Sequence, residues 1–492
     1  MTLYEWSLIG IAGSWLIRLT IIPVVVTQKE SPSTSLAWLM IVFFEPWIGL
    51  GLYVLLGQDR LVRRRLRLRS LARRFQSPVP PDVAGGHADA GQLETGAETS
   101  DSQLNRQQQT IASLAKEAGA LPVTDGNAVE LVSETLAFID GLIADIDSSE
   151  HHVHLMFYIF EDDEVGRLVG EALIRARQRG VECRLLADAV GARSLFGPLA
   201  ARLTQHGVET LAALPANLFR RGLARLDLRN HRKLAVIDGR IAWTGSQNIV
   251  EESYGHSKAG IWHDLMARIT GTAVWQLQVI FLEDWYHETG QPLPSEENYF
   301  PRSTQPTRSG SVALQVVPTG PDRPTEHFQH LMVEAIHSAQ DRVTITSPYF
   351  IPDEPLMCAL QLAAARGVQV EVIVPARSDH WIVDAAGRFY CGQLLNFGVS
   401  IFLFEDGLLH SKTLTIDGEL GMFGSANYDV RSFQLNFELN VLLYDEQATR
   451  EVREIQQRYQ ASSRALTKDE WQSQPRWKHL VSNVAKLFSP LL

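Results

Sequence analysis

The sequence predicts an α/β protein of two similar repeats sharing one site, preceded by an N-terminal two-helix transmembrane hairpin. Three observations predict it. Two long apolar runs open the chain, helix and strand patterns alternate from about residue 110, and one polar motif occurs twice, 179 residues apart.

The apolar runs come first. Leu3 to Val26 is interrupted only by Arg18 among strongly charged residues after Glu5, and Leu36 to Leu56 only by Glu45. As helices, spans of about 3–26 and 36–56 each cross roughly 30 Å of hydrocarbon. A cleaved signal peptide is the competing reading, but no basic stretch precedes the first run and a second run follows. Arg18 and Glu45 lie at matching depths, roughly 12–14 Å below the outer ends of their spans. They are expected to pair, because isolated charges in a bilayer are costly.

Arg60, Arg63, Arg64, Arg65, Arg67, Arg69, Arg73 and Arg74 follow the second run. Basic residues flanking a span stay in the cytoplasm, so the N-terminus and everything after residue 57 are expected there. The same arginines can rest on anionic headgroups. The hairpin is thus residues 1–58, and the basic segment with a flexible linker is 59–110. Residues 76 to 108 are too rich in Pro, Gly and polar side chains to build a core.

The rest divides into 111–305 and 306–492. Val153 and Phe160 correspond to Val343 and Phe350 at a shift of 190, and RGVECRLLAD at Arg179 corresponds to RGVQVEVIVP at Arg366. HRKLAVIDG at His231 returns as HSKTLTIDG at His410. In that register His231, Lys233, Ile237, Asp238, Gly239, Gly245, Ser246 and Asn248 match His410, Lys412, Ile416, Asp417, Gly418, Gly424, Ser425 and Asn427. Duplication alone preserves structure. Here, apart from one isoleucine, what is preserved is polar groups and glycines.

On a strand, residues two apart share a face, so His231 and Lys233 project together while Leu234 and Val236 face the other way. Two histidines at a two-fold junction offer a nucleophile and a proton donor. Two lysines offer fixed positive charge, and Asn248, Asn427, Ser246 and Ser425 offer neutral hydrogen bonds to phosphate. Glycines before the serines allow close backbone approach. This set suits a phosphodiester, whose transition state spreads charge over its non-bridging oxygens. No carboxylate cluster sits in the motifs to hold magnesium, so neither metal nor other cofactor is expected.

H-x-K-x4-D followed by G-S-x-N, twice in one chain, resembles the phospholipase D superfamily. With the two spans, the arginine segment and the ending LFSPLL, the chain is similar to its bacterial cardiolipin synthases. Glu45-Pro46 departs from the apolar residue expected before that proline.

The resemblance implies a membrane-bound phosphatidyltransferase that makes cardiolipin and glycerol from two phosphatidylglycerols. His231 would attack phosphorus, His410 would act as acid and then base, and Lys233, Lys412, Asn248 and Asn427 would hold the phosphate. Asp238 and Asp417 belong to the motif but are expected to organise turns. Asp264 and Glu438, 33 and 28 residues after their histidines, are expected to fix histidine tautomers; surface acids at strand starts are the alternative. The implied location is the bacterial inner membrane, multi-pass, with the catalytic domain facing the cytoplasm and anionic phospholipid as partner.

The remaining composition narrows the field. Of 492 residues, 45% are apolar and 21% charged, as in ordinary folded chains. A formal net charge of −11 argues against a nucleic-acid binder. Three cysteines without a CxxC argue against a disulfide framework or zinc cluster. His152 and His154 in HHVH invite a metal, but no third ligand lies nearby. Near the C-terminus Trp477, Leu480, Val481, Val484, Leu487 and Phe488 fall on one helical face beside Arg476, Lys478 and Lys486. That face either lies in the bilayer interface or packs on the core. Rival functions are a phospholipase D that hydrolyses lipid to phosphatidic acid and a non-enzymatic membrane scaffold.

Overall fold

The computed structural model describes residues 3–28, 32–57, 104–215, 227–254, 260–291, 299–300, 310–323 and 325–491. The arginine segment 60–74 and the linker 76–103 lie outside the described residues. The N-terminal helices and the α/β body are separate compact units.

In the first unit, Leu3–Gln28 is one continuous helix, and its Glu5–Thr27 stretch is long and apolar enough to cross a membrane. The second apolar run differs from expectation. It forms a helix Pro32–Phe44, a break at Glu45, a helix Pro46–Leu52 and a π-helical turn Tyr53–Gly57. The cause is Pro46, which has no N–H to continue the first helix and is well suited to open the next. The expected Arg18–Glu45 pair is not formed. Arg18 Nε instead donates to the Phe43 carbonyl beside the break, at 2.9 Å, with its guanidinium against the Trp15 and Phe43 rings.

The linker expected up to residue 110 ends sooner. Asn105 and Gln108 form a reciprocal capping box that starts a helix at Arg106–Glu117. Its Ile111, Ala112 and Ala115 enter the core of the second repeat.

The first repeat contributes β1 (Thr124–Val132), β2 (His152–Phe157), β3 (Glu182–Asp188), β4 (Glu209–Ala213), β5 (Leu234–Ile237), β6 (Ile241–Gly245), β7 (Trp262–His263) and β8 (Met266–Thr270). The second contributes β9 (Val312–Thr319), β10 (Arg342–Thr346), β11 (Gln369–Pro375), β12 (Ser400–Phe404), β13 (Leu408–Leu409), β14 (Thr413–Ile416), β15 (Leu420–Gly424), β16 (Glu438–Leu443) and β17 (Ser463–Leu466). Fifteen of these strands form one sheet in the order β17-β12-β11-β10-β14-β15-β16-β9-β1-β8-β6-β5-β2-β3-β4.

Apart from β17, which adds one edge strand to the second half, the order is palindromic about the antiparallel β9–β1 pair, so β14 and β5, and β16 and β8, are equivalent strands. Each half keeps parallel β-α-β pairing at its outer edge, β10-β11-β12 and β2-β3-β4. Each repeat buries its own apolar cluster on one face of the sheet. A third cluster joins them, with Leu234, Val236 and Ala267 packed among residues that include Phe423, Leu439 and Val441. Joining the repeats through a common core holds their motifs in fixed relation.

Alternation along β2 explains HHVH. Val153, Leu155 and Phe157 enter the first repeat's cluster, whereas His152 and His154 face the helix Ala273–Thr289 and contact its Gln278. Among the described residues, no group of three or more His, Cys, Asp or Glu stands in metal-binding proximity.

Candidate active site

His231-Arg232-Lys233 leads into β5 and His410-Ser411-Lys412 into β14, so equivalent strands carry the two motifs. Each histidine segment runs alongside the acid segment of the opposite repeat. The His231 N–H donates to the Phe437 carbonyl at 2.9 Å, one residue before Glu438, and the His410 N–H donates to the His263 carbonyl at 2.8 Å, one residue before Asp264.

The side chains cross in the same way. His231 Nδ1 lies 2.8 Å from Glu438 Oε2, and His410 Nδ1 lies 2.6 Å from Asp264 Oδ1. An ionised carboxylate only accepts, so each Nδ1 carries the proton and each Nε2 keeps a free lone pair. Neither repeat holds an oriented histidine of its own.

The serines have a different place from the one expected. Ser246 Oγ donates to Asp264 at 2.5 Å and accepts from the Leu265 N–H at 2.9 Å. Ser425 Oγ donates to Glu438 at 2.6 Å and accepts from the Leu439 N–H at 2.9 Å. Both hydroxyls thus hold the acids and are not free for phosphate. Gly245 and Gly424 serve the same packing. A Cβ at either would run into the carbonyl of Leu265 or Leu439 on the neighbouring acid-bearing strand. Glu438 is further held by the Ser432 hydroxyl and the Asn436 amide, residues for which the sequence offered no signal.

Lys233 Nζ donates to the His231 carbonyl at 2.7 Å and Lys412 Nζ to the His410 carbonyl at 2.5 Å. One of three N–H groups on each ammonium is thereby used. Asn248 accepts from the Ile159 N–H at 3.0 Å through its side-chain oxygen. Asn427 differs: its side chain bonds Asp429, and its buried carbonyl oxygen has no protein partner.

Asp238 and Asp417 sit at the far ends of β5 and β14. Both have left-handed backbone, with φ of 53° and 54°. Asp238 accepts from the backbone N–H groups of Glu150, His151 and His152, and Asp417 from those of Gln340, Asp341 and Arg342. Their carboxylates clamp the starts of β2 and β10. A four-residue strand separates each from its lysine.

The electrostatics follow from burial. Burial pushes the Lys233 ammonium down to about 7, against the pull of Glu438 and with repulsion from Lys412. Lys412 falls to about 8, again chiefly by burial, with Asp264 and Glu438 opposing. His410 is pushed down to about 4 by burial, which Asp264 only partly offsets, and His231 is lowered for the same reason against Glu438. Burial raises the Asp264 carboxyl, yet His410 and Lys412 outweigh it and hold it at about 2. Lys412 depresses His231 and Lys233 depresses His410, so the four groups share one electrostatic site. Burial away from water, more than mutual repulsion, is what disfavours their charged forms, and an anion placed among them would favour those forms.

Two aromatic neighbours went unread in the sequence. The Tyr158 ring lies 4.8 Å from that of His231, and the Trp262 ring lies 4.4 Å from that of His410. Trp262 is two residues before Asp264, the only signal that pointed to it.

This geometry joins a wider likeness. The family described as "Cardiolipin synthase, PLD-like domain" matches residues 142–285 and 332–459, and "Phospholipase_D-nuclease N-terminal" matches 15–58. A protein of Serratia proteamaculans named "Cardiolipin synthase A" is 34% identical over 100% of this chain and 99% of its own length. The chain belongs to the phospholipase D-type cardiolipin synthase family. A relative of the same name from Yersinia pseudotuberculosis is 32% identical over the same shares. Among solved structures, a phosphatidylserine synthase of Haemophilus influenzae shares the fold, with a TM-score of 0.58 at 15% identity over 79% of this chain and 98% of its own. In this family member each of the two matched segments of the PLD-like domain carries one histidine and the acid that serves the other.

Proposed function

We propose that the protein transfers a phosphatidyl group from one phosphatidylglycerol to the hydroxyl of another, forming cardiolipin and releasing glycerol. The crossed pairs His231–Glu438 and His410–Asp264 carry this reading, because they prepare two imidazoles with free Nε2 atoms in one lysine-flanked site.

In the first step His231 Nε2 attacks phosphorus. The P–O bond to glycerol breaks, and His410 gives its proton to the departing oxygen. In the second step His410 takes the proton of the incoming phosphatidylglycerol hydroxyl, which attacks phosphorus and breaks the N–P bond. His410 begins neutral with its one proton on Nδ1. Binding of the phosphodiester anion favours uptake of a second proton from solvent on Nε2, and this is the proton His410 donates in the first step and regains from the incoming hydroxyl in the second. Lys233, Lys412 and Asn248 are assigned to the phosphate oxygens, and Asp238 and Asp417 to holding the strands. One phosphodiester replaces another, so no nucleotide is consumed. The apolar N-terminal segments are assigned to a two-pass membrane anchor, with the N-terminus and the α/β body in the cytoplasm.

Purified full-length protein given labelled phosphatidylglycerol should yield cardiolipin and free glycerol in equal amounts. Phosphatidic acid as the main product would make the protein a hydrolase, and no turnover would favour a scaffold.

Two further outcomes are expected. Phosphate binding needs charged lysines, and in the empty site these lose their protons near pH 7 and pH 8. Affinity for a phosphodiester analogue should therefore fall as pH rises from 7 to above 8. Calorimetry in buffers of different ionisation enthalpy should detect net proton uptake on binding at pH 8. Pure release would contradict the assignment. Second, with lysines supplying the charge, turnover should survive exhaustive chelation at constant lipid presentation. A loss that magnesium restores would count against it.

A further inference from the structure

The helix Arg476–Ala485 is amphipathic with its faces reversed. Ser482 and Ala485 are buried, while Trp477, Leu480 and Val484 are 62%, 64% and 47% exposed. Val481 joins them on that face, and Leu487 in the following 3-10 turn Lys486–Leu491 is 71% exposed. Folding alone puts the large apolar side chains inward. Here small residues face the protein, so the apolar stripe is left for something outside it.

The stripe adjoins the site. Ala485 packs with Ala385 and Ala386 of the helix Trp381–Asn396, and the Tyr390 hydroxyl bonds Ser489 at 3.0 Å. That helix starts with Trp381, 73% exposed, two residues after Asp379. Asp379 accepts from the Tyr349 hydroxyl at 2.9 Å and is close enough to raise the proton affinity of Lys412. The 3-10 turn also packs on the helix Val430–Gln434, which begins three residues after Asn427.

Charge identifies the occupant. Residues 476–492 hold Arg476, Lys478 and Lys486 and no acid, in a chain of net charge −11. We propose that this face docks on an anionic phospholipid bilayer and brings the active-site surroundings against the lipid that supplies donor and acceptor. An exposed apolar stripe with tryptophan and flanking basic residues suits the headgroup boundary. A second copy of the chain fits less well, because a symmetric pairing of this face would oppose like charges. The proposal rests on the lipid-substrate reading above.

The test uses full-length protein reconstituted in vesicles of phosphatidylglycerol and phosphatidylcholine. With the exposed Cys358 changed to serine and the other two cysteines buried, Leu480→Cys carries an environment-sensitive fluorophore. Quenching by nitroxide on lipid acyl chains, and protection from aqueous iodide, is expected. Quenching by iodide alone overturns the proposal. So does protection from both quenchers that disappears as protein is diluted in lipid, which marks a second copy.

Leu480→Glu with Val484→Glu, both at exposed positions, provides an independent reading. It should lower kcat/KM on bilayer phosphatidylglycerol at least roughly tenfold and leave turnover of dispersed short-chain phosphatidylglycerol unchanged. Equal loss on both substrates overturns the proposal. Inactivity of the unmodified protein on both substrates would refute the enzymatic reading while leaving the quenching result to decide docking.

Discussion

Changing His231 to alanine is expected to lower cardiolipin formation by on the order of 10⁴-fold or more, as loss of a covalent nucleophile does elsewhere. Electrostatic stabilisation by Lys233 and Lys412 would survive, but alanine offers phosphorus no lone pair. His231 is buried, with 11% of its side chain exposed, so the variant requires a check of its fold. Unaltered unfolding behaviour together with lost turnover is the expected result. Turnover within about tenfold of the unmodified protein, a change of only about 1.4 kcal/mol in the barrier, would remove His231 from the reaction.

The second large effect concerns the crossed acids. Glu438→Gln and Asp264→Asn should each lower turnover by roughly 10²–10⁴-fold. Each amide can turn an N–H toward a histidine that must itself donate, favouring the wrong tautomer. The two variants should fail at different steps. In the proposed mechanism Glu438, on β16 of the second repeat, orients the nucleophile His231 of the first, whereas Asp264 orients His410, the acid and base. With a nitrophenyl phosphodiester, whose leaving group needs no proton, Asp264→Asn should release nitrophenol in a near-normal first burst and then stall. Glu438→Gln should show a slow burst. Equal bursts would contradict this division of roles, and full activity of either variant would contradict the positioning itself.

The duplication was legible because the polar motif recurs in one register at a shift of 179, so His231, Lys233, His410 and Lys412 stood out. Asp264 and Glu438 were legible as acids at matching places. Their crossing was not, because the β7–β13 pair and the Asn230–Phe437 bridge join segments far apart in sequence. The serines illustrate the same limit. A G-S-x-N pattern is compatible with phosphate binding, and only the approach of Leu265 and Leu439 turns Ser246 and Ser425 toward the acids.

Two other differences had local signals. Pro46 announced the break in the second apolar run, and Asn105 with Gln108 announced the helix start that shortens the linker. In both cases composition over a long window outweighed a short pattern. Tyr158 and Trp262 had no such pattern, since their meeting with the histidines depends on strand placement.

The central claim is a covalent phosphatidyl-histidine formed between two repeats, and its direct test is to trap that species. Full-length protein is mixed briefly with labelled phosphatidylglycerol, quenched in base, digested and mapped by mass spectrometry. A base-stable, acid-labile phosphatidyl adduct on His231 is expected, discharged by cardiolipin formation when unlabelled phosphatidylglycerol is added. An adduct on His410 would reverse the two histidines. Turnover with no adduct under any quench would contradict the covalent mechanism.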